Sequence, residues 1–289
     1  MEFVPTEKTS TIRYPSIANL MVDSADRVTA AYRLCNDFQI VKKNSLLNGF
    51  FTRVGATEVV FEWTTPNVPS PDVGDYDYSV NGAPVLGVGP LLGFYTVEEA
   101  LDEIQEDLNS AAAVTGVAVA IGTLAGGGAA LTFTGPPGTV ISLTGSIIQR
   151  LNGGLNVAAI IPAGGQGVVE FTPGKADLRP ARYVDIVCNQ LTNNQSVKDA
   201  STAENVRDVL VRWYFDYDNQ NPLDAYGFPI LMGYTPFYLR RLYNPPKQIQ
   251  WQTNIPVGNL SLQLYNDRGE LQVVTPETNY LMTLQISEN

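Results

Sequence analysis

The stretch from Arg182 to Val274 decides the fold. It holds YVDIVC over Tyr183–Cys188, VRDVLVRWYF over Val206–Phe215, a run from Ile230 to Leu242, and LSLQLY over Leu260–Tyr265. Each run is rich in β-branched and aromatic residues and alternates apolar with polar positions. Turn residues such as Asp267–Arg268–Gly269 close them. A period of two sends successive side chains to opposite faces, so these runs read as half-buried strands of an antiparallel β-sandwich. Pro229 and Pro236 mark the third run as an edge or a broken strand, because proline cannot donate to a ladder. Gln248–Thr253 and Leu260–Tyr265 read as a pair across Pro256–Val257–Gly258, and Tyr280–Ile286 as the closing strand.

Upstream the pattern is mixed. Thr57–Thr64 reads as a strand with Val59, Phe61 and Trp63 on one face. Thr96–Leu108 is the one clear helix. Thr96 and Glu99 form a capping-box pair, and Val97, Leu101, Ile104 and Leu108 make one apolar stripe. Short strands follow around Val117–Ile121, Leu131–Phe133 and Ile141–Leu143, then a Gly/Ala/Val-rich β stretch over Val157–Phe171. Gly126–Gly128 reads as a hairpin tip, since a phosphate loop needs a lysine and a Ser/Thr at fixed places and the nearest basic residue is Arg150. Residues 1–50 read as an N-terminal arm that packs on its own subunit or on a neighbour. In it Phe3, Ile12, Tyr14, Ile17, Leu20 and Met21 are candidate subunit-interface contacts. Residues 51–289 form the sandwich domain, with an inserted helix-plus-strands piece at about 94–155.

Composition narrows the chemistry. The chain has 289 residues, a net charge of −11, two cysteines and no histidine. Without histidine there is no Ser-His-Asp or Cys-His triad and no imidazole-ligated metal. The acidic balance disfavours binding of a phosphate backbone by the folded domain. No catalytic residue, metal site or cofactor is expected. Paired carboxylates near Trp213, Tyr214, Phe215, Tyr217 and Trp251, with Asp216 and Asp218, are the one arrangement that suggests a sugar site, and aromatics of this kind more often fill cores. Cys35 and Cys188 read as buried thiols, with a disulfide as the alternative. No signal peptide and no membrane span is visible.

Three sets of residues, in order, carry a resemblance. Gly93–Phe94–Tyr95–Thr96 leads into the helix, followed by a strand pair and Ile148–Gln149–Arg150–Leu151–Asn152–Gly153. Tyr183–Val184–Asp185–Ile186 precedes a polar loop and the Val209–Trp213 strand. Asn244–Gln252 precedes Leu260–Leu264 and Asn266–Asp267–Arg268–Gly269. In this order the chain resembles the jelly-roll capsid proteins of eukaryotic double-stranded DNA viruses, the polinton-like virus, virophage and giant-virus group, and most of all their penton (vertex) proteins. The resemblance implies an all-β fold, a single jelly-roll sandwich with a small helix-containing β insertion and the N-terminal arm. A double jelly roll needs more chain than the roughly eleven to thirteen strands counted here. It also implies a structural, non-enzymatic role in the virion. The partners would be further copies of the chain, as a homopentamer, and the major capsid protein. The alternatives are a minor or cement capsid protein, or a β-sandwich that binds a host receptor or glycan.

Overall fold

The computed structural model describes residues 17–28, 30–41, 53–68, 77–85, 93–192, 209–215, 221–250 and 257–287. In chain order the first strands are β1 (Ile17–Asp23), β2 (Asp37–Val41) and β3 (Arg53–Trp63). Next come β4 (Asp77–Val80), β5 (Ala83–Val85), α1 (Val97–Ser110), α2 (Ala112–Thr115), β6 (Ala118–Thr123), β7 (Ala129–Thr134) and β8 (Val140–Thr144). They are followed by α3 (Ser146–Leu151), β9 (Val157–Ile160) and β10 (Gly167–Phe171). The chain ends through β11 (Tyr183–Val187), α4 (Asn189–Thr192), β12 (Val209–Tyr214), β13 (Phe237–Gln250), β14 (Asn259–Asn266) and β15 (Asn279–Ser287).

Eight of these strands form a jelly roll. One sheet runs β1-β15-β3-β13 and the other β12-β11-β14-β2, and every pairing is antiparallel. The pairs β1·β15, β2·β14, β3·β13 and β11·β12 are nested. The chain is therefore one long hairpin with its tip between β11 and β12, rolled into two facing sheets. Their inner faces meet in a core that includes Phe38, Phe61, Trp63, Trp213, Leu262 and Tyr280. Phe61 is at its centre, with ring centroids 5.0 Å from Trp213 and 5.3 Å from Tyr280.

Two sequence expectations change. The stretch before residue 50 is not wholly an arm, because β1 and β2 are strands of the two sheets. Leu20 and Val22 turn toward the core. The Arg27 guanidinium ties the following turn to the far end of the chain, donating to the carbonyls of Ser24, Arg33 and Pro276 and to Asn279 Oδ1. The expected pairing of Gln248–Thr253 with Leu260–Tyr265 is also not found among the described residues. Gln248–Gln250 belong to β13, which pairs with β3, whereas β14 pairs with β11 and β2. A rolled hairpin sends successive strands to opposite sheets. The proline-bearing run does lie at an edge, with β13 starting just after Pro236.

The segment between β3 and β11 builds a second core. β5-β4-β8-β9 and β10-β7-β6 form two small sheets. The stripe of α1 packs with them: Val97, Leu101, Ile104 and Leu108 are buried with Leu131, Phe133, Ile141 and Phe171. The capping box at Thr96 and Glu99 is formed. This core also takes in Val68, Leu178 and, from the β12–β13 connection, Phe228, Leu231 and Tyr234. The strands that define it therefore extend on both sides of the 94–155 piece. Alternating runs such as Gly167–Phe171 bury Val169 and Phe171 here and not in the sandwich. The Gly126–Gly128 turn is a hairpin tip held down at one side. Gly128 donates to the Tyr226 carbonyl, and its positive φ of 109° brings it so close to the Phe171 carbonyl that no side chain would fit.

Candidate assembly surfaces

Among the described residues no group of three or more His, Cys, Asp or Glu could hold a metal ion. Cys35 and Cys188 are buried and form no disulfide, and burial pushes their thiols up to about 12 and about 11, so neither is a thiolate at neutral pH. Trp213 and Phe215 lie in the sandwich core, and only Tyr214 between them faces outward. Asp216, Tyr217, Asp218 and Trp251 lie outside the described residues.

The outer faces of the two sheets differ. On the β12-β11-β14-β2 sheet the polar groups satisfy one another. Arg212 holds Asp185 through two bonds of 2.7 and 2.8 Å and lies 3.9 Å over the Tyr183 ring, which in turn meets Tyr214 edge-on. The β1-β15-β3-β13 face carries exposed apolar groups on its two edge strands and mixed residues between them. Met21, Thr283, Glu58 and Leu242 form one row across all four strands, and Asp23, Leu281, Val60 and Arg240 form the next. Ile17, Met21, Tyr238 and Leu242 are each more than half exposed. Arg240 is paired with Glu58.

This face bears on the predicted interface residues. Ile17 and Met21 point outward on it, at the β1 edge. Leu20 points inward and packs on the sandwich core. Phe3, Ile12 and Tyr14 lie outside the described residues. Sequence reasoning missed Tyr238 and Leu242 at the opposite edge. Their signal is the alternation Tyr238, Arg240, Leu242, which places all three on one face of β13.

A second concave surface lies where the inserted unit meets the sandwich. The chain leaves β3 through residues 64–67 and returns through 176–182. Arg150 joins these two segments by donating to the carbonyls of Asn67 (2.8 Å), Leu178 and Arg179 (2.8 Å). Arg179 holds Asp177 through a 2.7 Å ion pair and donates to the Phe215 carbonyl. Burial alone would raise the Asp177 carboxyl, but the bonds and charge of Arg179 outweigh it and hold it below the usual carboxylate range. Beside this seam is a groove of about 490 Å³. Lys175, Arg182 and Arg268 reach it as exposed cations, with Asp267 and Glu270 on the same wall.

The class that this topology defines is the single jelly-roll β-sandwich with an insertion between its third and fourth strands. Among solved structures the chain is similar to the mavirus penton protein, with 13% identity and a TM-score of 0.48 over 96% of this chain and 100% of that one. It is also similar to a chain of the Sputnik virophage structure, with 10% identity and a TM-score of 0.45 over 94% of this chain and 97% of that one. No family model and no curated protein matches the sequence.

Proposed function

We propose that this chain is a viral capsid structural protein that works by self-assembly, as the homopentameric penton subunit at the five-fold vertices, in contact with the major capsid protein. The observation that carries this reading is the set of exposed apolar residues on the two edge strands of one jelly-roll sheet, Ile17 and Met21 on β1 and Tyr238 and Leu242 on β13. A lone folded protein gains nothing from Ile17, Met21, Tyr238 and Leu242 in water, whereas a ring of copies removes such groups from it. The residues that carry the family resemblance support the same reading. Their described parts fall on α1, α3, β11, β12, β13 and β14 and on the turn after it. A fold by itself does not assign a function, so the test is assembly.

Mass photometry and cryo-EM of the purified chain should give a closed ring about five times the 31.4 kDa chain mass. A chain that stays monomeric at every concentration and salt, alone and with the major capsid protein, overturns the reading. A monomer that joins capsids only between other subunits turns it into the cement role. Residues 1–16 are the proposed contact with neighbours. A deletion that tests them must stop before Ile17, because cutting further removes β1.

A further inference from the structure

The charges of this chain are segregated. Between Arg53 and Arg150 there is no lysine or arginine at all. Inside that interval, α1 carries six carboxylates and no basic residue in its last turn. Glu99, Asp102, Glu103 and Glu106 recur at helical spacing on the face opposite the buried stripe of Val97, Leu101, Ile104 and Leu108. Among the described residues no salt bridge reaches them. Like charges three and four apart weaken a helix, and negative charge at its C-terminal end opposes the helix dipole. The burial and crowding are visible at Asp107. Its carboxyl is pushed up to about 6 by burial and then by Glu103 and Glu106, and its Oδ2 has no hydrogen-bond partner. A local rule broken this consistently calls for a compensating contact.

The complementary charge sits on the same chain. Lys175, Arg182 and Arg268 stand exposed around the seam groove of a protein whose net charge is −11. The Arg182–Asp177 and Arg268–Glu270 pairs are loose, at 3.8 and 3.4 Å, and both arginines are about two-thirds exposed or more. The groove has room for side chains rather than for a helix body, which is about 10 Å across. A ring of identical subunits closes through two different patches on each copy, and this chain has one acidic ridge and one basic groove.

We propose that in the assembled ring the acidic ridge of α1 on one copy seats its carboxylates in the seam groove of the next, against Lys175, Arg182 and Arg268. This inference rests on the self-assembly reading, and a charge swap separates the two. Arg182→Glu with Arg268→Glu, and separately Glu103→Lys with Glu106→Lys, should each weaken ring formation by at least about tenfold in mass photometry of the full chain. Combining all four changes should restore it to within a few-fold of the parent. Raising salt should weaken the parent ring, as it screens exposed charges. If the parent forms rings and both double variants form them equally well, the docking inference is wrong and self-assembly stands. The same holds if the four-fold variant shows no rescue. If the parent never forms rings, the self-assembly reading fails and takes this inference with it. Should a reversal variant misfold by circular dichroism, Arg182→Gln with Arg268→Gln gives the same reading through the neutral change.

Discussion

Asp107 shows how a single side chain records its surroundings. Its folded-state acidity is weakened to about 6, against an ordinary value of 3.8, so the folded protein holds this proton more tightly than the unfolded chain does. Above pH 6 the ionised carboxylate therefore opposes folding. The penalty fades as pH falls from about 6 to 4. Asp107→Asn should accordingly melt higher than the parent at about pH 8, with the gap closing toward pH 4. A gap that is constant with pH would mean that packing, not ionisation, sets the difference. Nothing in the sequence singled out this residue among the carboxylates of α1. Burial on the flank of a helix depends on what the helix packs against, and that lies in the strands that follow. Arg150 was equally silent. In sequence it is only the basic residue nearest a glycine turn. Its work is to collect three carbonyls from segments that come together only in the fold.

Elements were legible in proportion to how local their causes are. The start of α1 was readable because Thr96, Glu99 and the apolar stripe all lie within a few turns of one another, and the cap is formed as expected. Thr96→Ala should cost about 1 kcal/mol by loss of the cap, read as a lower urea midpoint by circular dichroism at helix wavelengths. An unchanged midpoint would show that packing on the second core alone holds the helix start. The outward alternation of β3 and β14 was also plain. What failed was partnership. β1 looked like part of an arm because its partner, β15, is at the other end of the chain. β13 and β14 looked like neighbours because their runs are consecutive, yet they belong to different sheets. Periodicity reports which face of a strand is buried and not which strand lies beside it.

At the scale of the molecule two cores are joined, among the described residues, through residues 64–67, through residues 176–182, and through the β12–β13 connection, which places Phe228, Leu231 and Tyr234 in the second core before returning to the sandwich. The jelly roll was legible through the resemblance. The extent of the insertion was not, because strands alternate in the same way whichever core they serve. The chain's three tryptophans, at positions 63, 213 and 251, all lie outside residues 64–182, while α1 lies inside. Trp63 and Trp213 lie in the sandwich core, so fluorescence in a Trp251→Phe background follows the sandwich, and helical circular dichroism follows the insertion through α1. The two unfolding curves should coincide in the parent chain. They should separate in Arg150→Ala, which leaves the joined carbonyls unpaired at a cost of about 2–4 kcal/mol. Curves that stay superimposed would assign the coupling to the shared apolar contacts.

The nesting of the strand pairs also sets an order of events at the ribosome. Ile17 lies opposite Ser287, so the outermost rung cannot form until residue 287 has been made. The small sheets of the insertion pair among their own strands, but their core also takes in Phe228, Leu231 and Tyr234, so it is completed only after β12 has been made. During that interval β1, β2 and β3 wait with unsatisfied edges. Nascent chains on one message are then at risk of pairing with each other, and the paired sheets of the insertion stand as a bulky spacer between β3 and the strands that emerge next.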